Sequence, residues 1–287
     1  MIDMKKELQI KCPAKINLTL DVVNRRSDGY HNLSMIMQTI NLFDVIRISV
    51  HVSQSPCINL FCENKNVPTD DSNLIVRAAK LFFEKSNISA AAEIQLDKNI
   101  PVGAGLGGGS SDAAGTLTAL NTLFGTPLSK ECLAHMAKSL GADIPFFLNG
   151  GCMLAEGIGE KLSPLPSLEN VFIVLAKPEI SISTAHVYKS LVLDDSIYHP
   201  DIKSAIDALH QQNVDKLASV AGNVLESVVT KEYNIIQEYK EIMKDFGASY
   251  SLMSGSGSSV FGVFKDKPSA ENALQKFLTI TPTAYIV

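Results

Sequence analysis

Apolar and polar positions alternate along the first sixty residues. Ile16, Leu18, Leu20 and Val22 interleave with Asn17, Thr19 and Asp21, the period of two that predicts a strand. Ile46, Ile48, Val50 and Val52 repeat the pattern, and Ile58, Leu60 and Cys62 continue it. Asp28-Gly29 stands between two such runs and signals a hairpin turn. The period then changes. Leu74, Ala78, Leu81 and Phe82 fall on one helical face behind a cap at Ser72 or Asp71. A strand around Glu93 to Leu96 leads into a glycine cluster, and helices are predicted from about Ser110 to Phe124 and from Ser129 to Leu140. Pro164 and Pro166 mark a linker. Beyond it the pattern predicts a strand at Val171–Ala176 and a helix from Tyr233 to Phe246. A strand at Val260–Phe264, a helix opened by Pro268 and a closing strand follow. Mixed elements of this kind predict an α+β protein of two domains, 1–165 and 166–287.

Composition narrows the class. The chain has 287 residues, 46% hydrophobic and 19% charged, which excludes a disordered or collagen-like chain. No apolar run approaches the roughly 18 residues of a membrane span. Glu7, Gln9 and Lys11 interrupt any signal-like stretch behind Lys5 and Lys6. The net charge of −5 offers no basic field for nucleic acid. Five scattered cysteines show no metal-binding spacing. Cys12, Cys62 and Cys152 read as buried thiols, and a reducing, cytoplasmic setting is the expectation.

The densest chemical signal lies between Pro101 and Ala114, where five of the seven residues from Gly103 to Gly109 are glycine. Such a loop brings main chain close to a ligand. The helix behind it presents unpaired N–H groups that favour an anion. Together they make a phosphate cradle that needs no basic side chain. Gly103, Gly105 and Gly108 fit GxGxxG, the fingerprint of dinucleotide-binding oxidoreductases. The strands before it read as antiparallel, however. The Walker pattern fails because Gly109 stands where lysine belongs. A plain glycine loop with Ser110 or Ser111 as N-cap remains the bland alternative.

Three segments resemble the motifs of the GHMP kinases: Pro13-Ala-Lys-Ile-Asn-Leu18, the run Pro101 to Ser111, and Ser254-Gly-Ser-Gly-Ser-Ser-Val-Phe261. Arg26-Ser-Asp-Gly-Tyr-His31, Asn73-Leu-Ile-Val-Arg-Ala78 and Gly141-Ala-Asp-Ile-Pro-Phe146 point to one branch of that family. The resemblance implies an N-terminal nucleotide-binding domain containing a βαβ unit and a C-terminal ferredoxin-like α+β domain. It implies ATP and Mg²⁺ as cofactors, with no protein ligand named for the metal beyond Ser111 or water. The implied acceptor is a small molecule, the cytidine diphosphate conjugate of methylerythritol. Homoserine and mevalonate are the rival acceptors within the family. The expected partners include no nucleic acid and no membrane, and the expected state is a monomer or weak homodimer.

The resemblance also assigns residues. Lys15 and Asp143 become the catalytic pair, the carboxylate as general base and the ammonium beside it. Asn73 and Lys98 fall near adenine. Pro101, Gly103, Gly105, Leu106, Gly107, Gly108, Gly109, Ser110 and Ser111 surround the phosphates. Asn17, Tyr30, His31, Thr184, Tyr188, Gly255, Ser256 and Gly257 receive the acceptor, with tyrosine faces suited to a pyrimidine. Read without the resemblance, Lys15 is a solvent-facing strand lysine, Asp143 caps a short helix, Asn73 is a cap, and Ser254–Ser259 is a flexible turn.

Overall fold

The computed structural model describes residues 5–53, 55–194 and 197–287. Two long strands, β1 (Lys6–Arg25) and β2 (His31–Val52), pair with each other. Gly29 takes φ 88° in the turn between them, and Arg26 N–H bonds Tyr30 O at 2.8 Å. The chain divides into two compact units, and both strands contribute residues to each.

The first unit comprises the described part of Met1–Ala14 with Asn41–Val102 and Gly107–Gly150. Its elements after β2 are β3 (Ile58–Cys62), α1 (Leu74–Ser86), β4 (Ala90–Asp97), α2 (Gly108–Leu123), α3 (Lys130–Leu140) and α4 (Ile144–Asn149). β4 pairs antiparallel with Val45–Val52 of β2. It pairs parallel with β3, and α1 is the crossover between them, a βαβ unit. Ile46, Ile48, Ile94 and Leu96 of the sheet pack with Phe82 of α1 and Leu117 and Leu120 of α2. Each such side chain contributes about 1.5–3 kcal/mol on burial. A Cβ on Gly115 would lie 2.4 Å from Cys12 Sγ, so glycine lets α2 approach β1. The α1 cap is Asn73 itself, not Ser72 or Asp71. Asp70 Oδ1 engages both the N–H and the hydroxyl of Ser72, which removes that side chain from capping.

The second unit comprises Lys15–Ile40, Gly103–Leu106 and Gly151–Val287. β5 (Cys152–Gly157) pairs antiparallel with Leu33–Gln38 of β2 and with β6 (Lys161–Leu165). Pro164, read from sequence as linker, lies inside β6, the last strand of this run. Proline is tolerated there because an edge strand can lose a donor. Then follow β7 (Phe172–Ala176), α5 (Thr184–Ser190), α6 (Ile202–His210), α7 (Val214–Val220) and α8 (Glu226–Glu232). The chain closes with α9 (Asn234–Asp245), β8 (Tyr250–Met253), β9 (Val260–Phe264), α10 (Lys267–Leu278) and β10 (Ala284–Ile286). The order β10-β7-β9-β8 is antiparallel throughout. With α9 before β8 and α10 before β10, this is the split βαβ arrangement of ferredoxin-like domains. Ile236, Tyr239 and Met243 form the buried stripe of α9, and Ala270, Ala273 and Phe277 that of α10. Among the described residues no helix is long and apolar enough to cross a membrane.

Candidate active site

The glycine loop has the backbone that its sequence requires. Gly103, Gly105 and Gly107 take φ of 63°, 74° and 71°, a region that side chains disfavour. α2 begins at Gly108 with Gly107 at the cap, so Ser110 and Ser111 lie inside the first turn and neither is the N-cap. The first intrahelical bond runs from Ser111 N to Gly107 O at 2.9 Å. The N–H groups before it point out of the helix end, and no acidic side chain stands in that turn. Ser111 is 1% exposed, and its Oγ has no hydrogen-bond partner among the described residues.

Behind the helix start lies a buried ion triad. Lys98 Nζ donates to Asp44 Oδ2 at 2.5 Å and to Asp112 Oδ2 at 2.6 Å. Asp44 Oδ1 also accepts from the backbone of Asn99 and Ile100, at 2.7 and 2.8 Å. Burial opposes the charge on Lys98, but the two carboxylates outweigh it and raise its pKa. Burial pushes the Asp112 carboxyl upward despite Lys98, with Asp44 adding to the rise. A Cβ on Gly108 would lie 3.0 Å from Lys98 Nζ, so the triad abuts the first turn of α2. Lys98 also lines an open pocket of about 820 Å³ with Asn64, Thr69 and Asn99. The Asn73 side chain is used structurally, accepting from Ile75 N at 2.8 Å and donating to Pro68 O at 2.6 Å.

Asp143 occupies the N-cap position of α4 but makes no side-chain capping bond. Its backbone is already helical, φ −83° and ψ −14°, with Pro145 in the first turn. The simple capping role suggested by the bare sequence is therefore absent.

In the second unit, Lys15 is 4% exposed, not solvent-facing. Both faces of β1 are covered there, which the alternation along one strand could not reveal. Its Nζ donates to Asn17 Oδ1 at 2.7 Å and to Gly105 O at 2.9 Å. Gly105 O also accepts from Ser254 Oγ at 3.0 Å. A Cβ on Gly105 would stand 2.0 Å from Ser254 O, so the two loops touch main chain to main chain. Ser254–Ser259 is correspondingly no flexible turn. Ser254, Ser256, Ser258 and Ser259 are all buried. Ser259 N bonds Ala104 O at 3.2 Å and Ser258 Oγ bonds Ile180 O at 3.1 Å. Ser256 Oγ meets Thr184 Oγ1 at 2.7 Å. His31 and Tyr188 place ring centroids 5.4 Å apart at 30°, beside a Tyr30 that is 62% exposed. Burial, with the charge of Arg25 nearby, lowers the His31 pKa and favours the neutral ring.

Known proteins share this fold. Residues 73–151 match the model of the GHMP kinases N terminal domain, and residues 200–280 match that of the GHMP kinases C terminal. A 4-diphosphocytidyl-2-C-methyl-D-erythritol kinase of Clostridium beijerinckii is 45% identical over 92% of this chain and 93% of its own. The chain belongs to the GHMP kinase family. A crystal structure of 4-(cytidine 5'-diphospho)-2C-methyl-D-erythritol kinase superposes with TM-score 0.81 and 32% identity, covering 97% of this chain and 98% of that one. A homoserine kinase from Cytophaga hutchinsonii, at TM-score 0.79 and 18% identity over 100% of this chain and 96% of its own, shares the fold.

Several residues that shape the loops of this kinase belong to none of the motifs in its sequence. Asp112 stands directly after the serine pair, and Asp44 interrupts the apolar run Leu42 to Ile46. A buried acid needs a partner, and that polar break was the available signal. Asn223 and Glu226 carried no motif. Glu226 accepts from Met253 N at 2.6 Å and pairs with Lys240, while burial raises its pKa.

Proposed function

We propose that this kinase transfers the γ-phosphoryl of ATP to the 2-hydroxyl of 4-diphosphocytidyl-2-C-methyl-D-erythritol, giving the 2-phosphate and ADP in non-mevalonate isoprenoid synthesis. Supporting this choice of acceptor is the His31–Tyr188 ring pair beside Tyr30. Homoserine and mevalonate carry no base for such a surface to stack on. A dinucleotide-binding oxidoreductase is disfavoured by sheets in which β3–β4 is the one parallel register among the described strand pairs.

Phosphoryl transfer asks the protein for position and charge more than for covalent chemistry. The main chain of Gly103 to Gly107 and the first turn of α2, with Pro101, Leu106 and Gly108 to Ser111, hold the triphosphate. Adenine lies near Asn73 and the pocket wall at Lys98, whose ammonium is committed to its two aspartates. Mg²⁺, when bound, would supply charge neutralisation at the phosphates. The orphaned Ser111 hydroxyl is an oxygen donor suited to it. Asp143 accepts the proton of the attacking hydroxyl. Lys15 supplies an ammonium that steadies the developing alkoxide. Asn17, Thr184 and Gly255 to Gly257 contact the acceptor. The functional halves are 1–165 for nucleotide and catalysis and 166–287 for the acceptor. A cytoplasmic monomer or weak homodimer completes the reading.

An ADP-release assay with the cytidine substrate, homoserine and mevalonate tests the assignment. Turnover is expected with the cytidine compound, and activity on one of the other two alone would overturn it. Tyr188→Ala should raise the KM for the cytidine substrate roughly 5- to 150-fold, the value of about 1–3 kcal/mol for one stacked base. The KM for ATP should stay within about twofold, since stacking on Tyr188 touches only the acceptor. An unchanged acceptor KM would remove Tyr188 from the site.

A further inference from the structure

Beside the loop that carries Gly255 lies an asparagine with no place in any of the quoted motifs. Asn223 is 6% exposed. Its Nδ2 donates to Met253 O and to Gly255 O, both at 2.8 Å. Its Oδ1 accepts from Leu225 N at 3.0 Å. Both amide hydrogens are thus spent on the main chain flanking Ser254, and little capacity remains for a substrate.

The segment holding Asn223 is itself fixed to β1. Leu20 N donates to Gly222 O at 2.8 Å, and Val224 N donates to Leu20 O at 3.0 Å. Thr19 Oγ1 adds a bond to Gly222 O at 3.0 Å. β1 is the strand that carries Lys15 and Asn17. At the other end of the connection, Gly255 takes φ 57°. A Cβ there would lie 3.3 Å from Lys15 Nζ, 3.3 Å from Gly105 O and 3.5 Å from Asn17 Oδ1. Asn223 therefore joins two ends of one circuit. The strand presents the lysine, and the asparagine holds the loop that walls it in.

We propose that Asn223 is a positioning residue for phosphoryl transfer, acting through the Met253–Gly255 main chain to fix the Lys15 ammonium against Gly105 O and Asn17. The inference rests on the catalytic reading of Lys15 given above. Asn223→Asp tests it, because the carboxylate keeps the acceptor toward Leu225 N but faces two carbonyl oxygens that need a donor. In this variant kcat should fall roughly ten- to a hundredfold, as misplacement of a reacting group by a distant change does. The KM for ATP should not move. The loss should therefore fall on kcat and not on binding, the split expected when a reacting group is displaced while the ground-state complex is left intact.

A purely structural role would lower the melting temperature and leave the kcat of the folded protein in place. Native kcat in folded Asn223→Asp protein would overturn the proposal. If that variant does not fold, Thr19→Val decides. It removes both bonds between the Thr19 hydroxyl and Gly222, one to its O and one from its N, and should lower kcat in the same direction by less with the KM for ATP unmoved, whereas a native kcat rejects the idea. Lys15→Met separates the two levels. If it retains turnover, the role of Lys15 is wrong. If it is inactive while Asn223→Asp is native-like, only the role of Asn223 fails.

Discussion

Asp143→Asn is expected to lower kcat by roughly 10²- to 10⁴-fold, the usual worth of a positioned general base, with the KM for ATP and the melting temperature close to native. Stability should stay intact because of how α4 begins. Asp143 stands at the position where a carboxylate normally caps a helix, yet it makes no capping bond, and Pro145 and an already helical backbone start the helix without it. Loss of a working N-cap would cost about 0.5–2 kcal/mol. Here that term is absent, so an isosteric amide removes a proton acceptor and little else. A steady-state titration of ATP and acceptor with a thermal melt measures all three quantities. Near-normal turnover would take Asp143 out of the mechanism. A large fall in melting temperature would show that the carboxylate has a structural use.

What could be read from the sequence follows the range of the forces involved. The strand Val260–Phe264 and the helix behind Pro268 are set by neighbours within a few residues, and both lie where their period and proline place them. The hairpin at Asp28-Gly29 is equally local. Lys15 shows the limit. Alternation assigns it to the face of Asn17, but whether that face meets water depends on Gly105 and the Ser254 loop, 90 and more residues away. The Ser254–Ser259 run misleads for a related reason. Small residues usually mean mobility, whereas here they permit main-chain contact that only Gly105 and Gly255 can accommodate, and buried Asn223 pins the result. No local pattern marks Asn223, since its bonds run 30 and 32 residues along the chain. The buried acids are intermediate cases. Asp44 is visible as a polar break in an apolar strand, but nothing in its surroundings names Lys98 and Asp112 as its partners.

That triad sets the other large effect. Lys98→Met should destabilise the protein by about 3–5 kcal/mol, because it leaves two buried carboxylates without their cation. The pH dependence identifies the cause. In an unfolded chain Asp112 titrates near the ordinary aspartate value of about 3.9. Burial already raises Asp112 in the native protein, to about 7, and removing Lys98 takes away the one interaction that lowers it. Between the unfolded and folded values the native state holds a proton that the unfolded state has lost. Stability therefore falls as pH rises through that window. The variant should accordingly be less impaired at pH 5 than at pH 8 in urea unfolding, and adding Asp112→Asn should restore part of the loss. The KM for ATP should rise as well, since Lys98 Nζ lies 3.0 Å from the Cβ position of Gly108 in the first turn of α2. Equal destabilisation at both pH values, with no recovery from Asp112→Asn, would mean that the lysine acts through its aliphatic stem and that the charge beneath the phosphate loop is incidental.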